Sequence, residues 1–137
     1  MKKIVSVLMA AAMAMSILTV PSFAGNTSDS GYWVDESIGY VHPAPREKQD
    51  STSVYVNLVD GTSTVWQVDV LGLMGQPDTW LDIPKCNDGL GTRSVSIGTR
   101  YFLYNNVYES HFTHASLEFH STGYAELEIL WSPDSVW

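Results

Sequence analysis

The sequence predicts an all-β protein: a small antiparallel β-sandwich of six to eight strands, jelly-roll or immunoglobulin-like, that follows a cleaved signal peptide. Three observations support this fold class. From Ser51 onward apolar and polar residues alternate in several short runs, Gly, Asn and Asp separate the runs, and no segment after the first 24 residues keeps a helical period over three turns. Because each alternating strand has one apolar face, a second sheet has to cover it.

The N-terminus has the pattern of an export signal. A short basic start, Met1-Lys2-Lys3, precedes the uncharged apolar run Ile4–Val20 and the small-x-small site in Pro21-Ser22-Phe23-Ala24. The alternative, an uncleaved membrane anchor, needs an apolar span of roughly 20 residues. We therefore expect residues 1–24 to be a signal peptide cleaved near Ala24/Gly25, and the mature protein to be secreted, extracellular and without a membrane span.

Charge excludes several partners. The chain has 7 basic and 15 acidic residues, a net charge of −8. Loss of Lys2 and Lys3 with the signal takes the basic count from 7 to 5 and the net charge to 5 − 15 = −10. Nucleic acids are then excluded as ligands, because neutralising phosphates needs clustered Lys and Arg. Anionic lipid should repel the protein as well.

The single cysteine, Cys86, excludes an intramolecular disulfide. Its thiol would either pair with a second chain or stay partly buried and inert, and we favour the inert thiol. The sandwich must therefore be held together by its core.

Residues 25–50 are predicted to form an N-terminal tether, partly docked on the β-sandwich domain of residues 51–137. A polar start, small apolar islands and a stiff His42-Pro43-Ala44-Pro45 stretch favour this interpretation. The charged run 46–50 is expected to be exposed. The alternative is a first strand near residues 31–35.

Two alternating runs flank Asp60-Gly61, which is a hairpin signal. Residues 54–59 and 65–70 would form the two strands. A loop with an odd number of residues pairs Val56 with Trp66 and keeps one face of the hairpin apolar.

The middle of the domain is less regular. A short strand is predicted from Trp80 to Ile83, ended by Pro84, which cannot continue a central strand. Alternation returns from Arg93 to Asn105, with a bulge or bend at Gly98.

A second hairpin is predicted around Ser121-Thr122-Gly123, between the alternating runs 114–120 and 124–131. The three-residue loop places Glu118 opposite Glu126 on the polar face. Two carboxylates that face each other on a sheet repel, so a cation, a basic side chain or a proton should offset them.

That polar face suggests a metal site formed by Glu118, His120 and Glu126. Zn²⁺ would use the imidazole and the carboxylates, whereas Ca²⁺ would use oxygens only. The ordinary alternative is a solvated hairpin face without a cofactor, and a small hydrolase built on the carboxylate pair is a third possibility. Oxygen ligands for Ca²⁺ also gather in sequence around a Gly-rich loop, where ordinary turn chemistry is the alternative: Asp78, Asp82, Asn87 and Asp88.

Aromatic residues are plentiful, with 5 Trp and 7 Tyr. Trp66 and Trp131 are predicted to lie in the core. Aromatic side chains outside the core can either cap the ends of the sandwich or bind a ligand. The candidate ligand-binding residues are Trp33, Trp80, Trp137, Tyr32 and Tyr40.

The segment Leu130-Trp131-Ser132-Pro133-Asp134-Ser135-Val136, together with Ser51-Thr52-Ser53-Val54-Tyr55-Val56, resembles small uncharacterised secreted proteins of Gram-positive, gut-type bacteria. The resemblance implies export and a compact β domain, and it implies no activity. The predicted function is therefore an exported, non-enzymatic binding or surface-interaction module for a glycan, the cell wall or a protein. The alternatives are a divalent-metal-binding module or small hydrolase, and a secreted antibacterial protein.

Overall fold

The computed structural model describes residues 30–36, 39–121 and 125–135. The predicted all-β class is confirmed: these residues form strands and turns, arranged as an antiparallel β-sandwich. Seven strands have four residues or more, and two have two residues. Their bounds are β1 Ser30–Glu36, β2 Tyr40–Val41, β3 Arg46–Glu47, β4 Val54–Gly61, β5 Val65–Leu73, β6 Arg93–Ser96, β7 Arg100–Leu103, β8 His114–His120 and β9 Ala125–Ser132.

One sheet has four strands in the order β1-β9-β4-β7. The other has five strands, in the order β2-β8-β5-β6, with β3 also paired to β8. No helix in the described part of the chain has the length and apolarity needed to cross a membrane. The predicted signal peptide, residues 1–24, lies outside the described residues.

The core lies between the two sheets and follows the period-two pattern of the sequence. Alternate residues are buried in β4 and β9, whereas β5 is buried from Val68 to Leu73 and β8 from Ala115 to Phe119. Trp66 and Trp131 lie in the core, as predicted. The Trp66 ring meets Phe119 edge-on at 6.4 Å, while its indole N–H donates to the Ser63 carbonyl at 2.9 Å. This bond satisfies the one polar atom that the indole brings into the core.

Both predicted hairpins are wrong. β4 pairs with β7 and β9, and β5 pairs with β6 and β8, so the chain changes sheet after Gly61. β8 and β9 also lie in different sheets, and Glu118 is therefore not opposite Glu126. The physical reason is that an arch between sheets directs both apolar faces inward just as a hairpin does. Alternation fixes which face is buried without fixing the partner strand.

The predicted strand from Trp80 to Ile83 is also absent, because these residues form a turn. Leu81 is 77% exposed, and Asp82 has a left-handed backbone with φ of 59°. The chain rejoins the sheet at Lys85, which forms an isolated bridge to Leu71. Gly98, with φ of 79°, lies in the turn between β6 and β7, where the sequence predicted a bulge or bend.

The segment 25–50 supplies three strands. β1 runs along β9 at the edge of the four-stranded sheet, so the alternative of a first strand near residues 31–35 is what the structure contains. β2 and β3 both pair with β8 in the other sheet.

The charged run 46–50 is not uniformly exposed, contrary to the prediction. The Lys48 side chain is fully buried, and its ammonium donates to Asp134 Oδ1 at 2.7 Å and to the Thr52 carbonyl at 2.6 Å. Arg46 donates to the Trp131 carbonyl at 2.6 Å. Lys48 thus contacts both segments that carried the resemblance, through Asp134 of the segment 130–136 and the Thr52 carbonyl of the segment 51–56.

Candidate functional site

A groove of about 750 Å³ opens beside the five-stranded sheet. Tyr40 of β2, the nearby His42 and the turn that contains Trp80 form its aromatic wall. Glu118 of β8 and Lys85 line it as well, and we call these two residues, together with the residues that contact them or Asp69, the charged floor: Asp69, Glu118, Lys85, His42, His120 and Asn87. The groove is lined by Tyr40, His42, Thr79, Trp80, Leu81, Asp82, Ile83, Lys85 and Glu118.

Aromatic rings line the groove. The His42 and Trp80 rings stack with centroids 4.3 Å apart and planes 7° apart. Tyr40 is 52% exposed, and its ring lies 6.3 Å from His42 and edge-on to His120 at 5.2 Å. The edge contact follows from the register, since Tyr40 is paired with His120 across β2 and β8. The stack therefore joins the turn to the edge of the sheet.

The charged floor begins with two carboxylates on neighbouring strands. Asp69 alternates with the core residues Val68 and Val70, so its side chain leaves the opposite face of β5. It is paired directly with Glu118 of β8. Repulsion between them is offset by Lys85, whose Nζ lies 2.6 Å from Asp69 Oδ2 and 3.1 Å from Glu118 Oε1.

Two imidazoles and an amide complete the charged floor. His120 Nε2 lies 2.8 Å from Asp69 Oδ2 and 3.6 Å from Glu118 Oε1, and His42 Nε2 lies 3.1 Å from Glu118 Oε2. The Asn87 amide donates to Asp69 Oδ1 at 2.7 Å and accepts from the Val70 backbone N–H at 2.8 Å. The buried carboxylate of Asp69 is therefore bonded at both oxygens.

These bonds fix the charge of Asp69. Burial by itself raises the pKa of this carboxyl, but hydrogen bonds from Lys85, Thr92, Asn87 and His120 outweigh burial and lower it from 3.8 to about 2. The hydrogen bond to Asp69 raises the pKa of Lys85 above its ordinary 10.5. Near neutral pH the floor consequently holds an ionised aspartate and an ammonium ion.

The sequence-predicted ligand residues are only partly brought together. Trp80 and Tyr40 both line the groove. The backbones of Tyr32 and Trp33 lie in β1, paired with Ile129 and Glu128 of the four-stranded sheet. Their side chains, like Trp137, lie outside the described part of the structure.

The structure brings together two of the three predicted metal ligands. Glu118 and His120 lie together, whereas Glu126 belongs to β9 of the other sheet, paired with Asp35. Among the described residues, one group of three potential ligands comes together, and it consists of Asp69, Glu118 and His120. The acidic residues of the Gly-rich region, Asp78, Asp82 and Asp88, form no such group.

Sequence reasoning missed Asp69, Lys85, His42 and the role of Asn87. Asp69 looks like any outward-facing polar residue of a strand, and Lys85 lies in a loop 16 positions further along the chain. Only the pairing of β5 with β8 makes Asp69 a neighbour of Glu118. Pro84, which the sequence analysis took as the end of a strand, gave no indication that Lys85 bridges to Leu71 of β5.

Cys86 follows Lys85 and is buried, at 3% exposure, as the favoured interpretation predicted. Burial raises the pKa of its thiol above 9.0. Gly72 of β5 makes room for it, since a Cβ at this position would lie 2.8 Å from Cys86 Sγ and would clash with the Phe112 ring. A protonated, enclosed thiol is a poor nucleophile and a poor partner for a second chain.

Residues 20–135 match a family described as a protein of unknown function, DUF2712, and the chain belongs to this family. No curated protein and no solved structure matches the chain.

Proposed function

We propose that this protein is an exported, non-enzymatic binding module whose groove takes up a saccharide chain, such as a cell-wall or surface glycan. The observation that carries this proposal is the groove itself, which the exposed Tyr40 and the His42–Trp80 stack line together with Lys85 and Glu118. Its volume of about 750 Å³ lies within the roughly 300–1,000 Å³ typical of small-ligand sites. Export rests on the N-terminal sequence alone.

The wall and floor suit a ligand with an apolar face and a polar edge. Aromatic rings offer flat apolar contact area, while Lys85 and Glu118 can orient hydroxyl or amide groups. Sugar rings have both properties. Leu81, 77% exposed at the rim, adds apolar contact area that a bound ligand would cover.

The lowered pKa of Asp69 and the contacts of Glu118 favour binding without catalysis over the hydrolase alternative. A glycosidase needs one carboxylic acid with a raised pKa, so that it can donate its proton near neutral pH. Asp69 has the opposite shift, to about 2. Glu118 is held by Lys85 and His42, which is the arrangement of a structural ion-pair network.

The test is retention of the purified protein on peptidoglycan, on insoluble polysaccharides and on whole cells. We expect wild-type protein to bind at least one of these materials. Trp80→Ala and Tyr40→Ala should each weaken binding by about tenfold or more, as expected for the loss of an aromatic anchor. Tyr104→Ala is the matched control, since Tyr104 is 60% exposed and lies outside the groove.

Tyr40→Ala keeps the test interpretable if Trp80→Ala unfolds, because Tyr40 is half exposed and its removal leaves the core intact. Circular dichroism verifies that each variant is folded. Equal retention of wild type, Tyr40→Ala and Tyr104→Ala would contradict the groove as the binding site. Absence of retention on every saccharide material would contradict the ligand class. Export is tested separately by the N-terminal residue of protein recovered from the culture medium, expected to be Gly25.

A further inference from the structure

The charged floor beside the groove contains a group of potential metal ligands. Asp69 Oδ2, Glu118 Oε1 and His120 Nε2 converge, and one ligand atom from each lies within 4.8 Å of the others. The Lys85 ammonium lies against the two carboxylate oxygens, at 2.6 and 3.1 Å. A cation is thus already held at the point where the two carboxylates meet.

The second oxygen of each carboxylate is bonded elsewhere. Asn87 donates to Asp69 Oδ1, and His42 Nε2 lies within hydrogen-bond distance of Glu118 Oε2. These contacts leave Oδ2 and Oε1 directed at the shared position. Outer hydrogen bonds that orient ligating carboxylates in this way are typical of metal centres in proteins.

We propose that Asp69, Glu118 and His120 form a binding site for a divalent transition metal of the Zn²⁺ type, and that Lys85 is a tethered cation which the metal displaces. Zn²⁺ accepts imidazole nitrogen and carboxylate oxygen, and three protein ligands leave a fourth position open. Ca²⁺ fits less well, because it takes six to eight oxygen ligands and this site offers an imidazole and two inward-facing oxygens.

Displacement of Lys85 is physically accessible. Its side chain is 46% exposed and lines the groove, so the ammonium can move into water without crossing the core. A divalent ion would then neutralise both carboxylates. The ligand atoms must close from their present separations to metal–ligand distances of about 2.0–2.2 Å, and His120 must carry its proton on Nδ1 so that Nε2 offers a lone pair.

Competition between Lys85 and the metal gives the proposal a distinctive consequence. Removing the ammonium should strengthen metal binding, whereas removing any of the three ligands should weaken it. A site elsewhere on the surface would show neither effect. The inference does not depend on the proposed saccharide function, since the metal alone is the ligand in its test.

The test is calorimetric titration of ZnCl2 into purified protein without a polyhistidine tag. We expect one ion per wild-type chain, and about tenfold or more tighter binding by Lys85→Met. His120→Gln and Asp69→Asn should bind at least about 100-fold more weakly, since changes in the outer shell alone cost 10–100-fold. His114→Gln and Asp78→Asn, which change the same residue types outside the cluster, should bind like wild type.

His120→Gln keeps the test valid if Asp69→Asn fails to fold, because the His120 side chain is 30% exposed. Unchanged affinity in either His120→Gln or Lys85→Met would overturn the proposal. Binding by Lys85→Met with no wild-type binding below millimolar Zn²⁺ would also overturn it, since Lys85 would then be the permanent cation. Equal affinity for Ca²⁺ and Zn²⁺ would contradict the imidazole ligand.

Discussion

The substitution Asp134→Asn removes one charge from an ion pair that is wholly enclosed. Both side chains of the Lys48–Asp134 pair have an exposed fraction of 0%, and Nζ and Oδ1 are 2.7 Å apart. The carboxylate also accepts the backbone N–H groups of Gln49 at 3.0 Å and Asp50 at 3.3 Å. It therefore joins the segment after β3 to the segment after β9.

The magnitude follows from the charge left behind. Removing one partner of a buried pair typically costs about 3–5 kcal/mol, because the other charge stays buried and uncompensated. A domain of this size has a free energy of unfolding of roughly 5–15 kcal/mol. We therefore expect Asp134→Asn to remove a large part of the stability of the fold. With a urea m value of about 1–3 kcal/mol/M, the unfolding midpoint should fall by about 2 M.

The assay is urea unfolding at pH 7 followed by tryptophan fluorescence, with Asp78→Asn as the control for the same change at an exposed aspartate. The double variant Lys48→Met/Asp134→Leu removes both charges. Since an apolar pair avoids the uncompensated charge, it should be less destabilised than the sum of its single variants. It should remain about 1–2 kcal/mol below wild type, because the N–H groups of Gln49 and Asp50 lose their acceptor.

Two results would contradict the stabilising role of the buried Lys48–Asp134 pair. A loss below about 1 kcal/mol in Asp134→Asn would mean that the pair behaves like an exposed salt bridge. Additive losses in the double variant would mean that the two charges are not coupled.

Two further predictions concern the charged floor and the thiol beside it. The unfolded Asp69 carboxyl takes up a proton near pH 4, whereas the folded one stays ionised to about pH 2, so its contribution of about 2 kcal/mol is lost as pH falls through this window. Over this pH window the free energy of unfolding of wild type should fall by this amount relative to that of Asp69→Asn. The same pH dependence in both proteins would contradict the prediction. Cys86 should react with a thiol reagent only after denaturation, because the folded thiol is buried with a raised pKa. Fast labelling of the native protein would contradict this.

The sequence was sufficient to predict burial but not strand pairing. Val56 and Trp66 are both buried, as their positions in alternating runs predicted, yet they lie in different sheets. The period of two reports which side of a strand is apolar, and it is equally satisfied by a hairpin and by an arch. The choice between them depends on long-range contacts that a local pattern does not contain.

For the candidate site too, the sequence predicted some of the residues but not the strand pairing that brings them together. Trp80 and Tyr40 were selected because aromatic residues outside the core are available for ligands, and both line the groove. Glu118 was expected to need an offsetting cation, and it has one in Lys85. The opposing carboxylate was misassigned to Glu126 because the partner strand was wrong.

The position of Lys85 is determined by backbone bonds on both sides of it. The Gly72 N–H donates to the Pro84 carbonyl at 3.0 Å, and the Cys86 N–H donates to the Val70 carbonyl at 2.7 Å. These two bonds align the short segment from Pro84 to Cys86 with the end of β5. Since Asp69 is the next residue of β5 before Val70, the alignment brings the Lys85 ammonium over the carboxylate pair.

The same alignment explains why one loop supplies three different parts of the site. Trp80 stacks on His42, Lys85 neutralises the carboxylates, and Asn87 donates a hydrogen bond to Asp69. A change that loosened the alignment would alter the wall and the floor together. The groove and the charged floor therefore depend on the same loop. Saccharide binding and metal binding can still be tested separately through Tyr40 and His120.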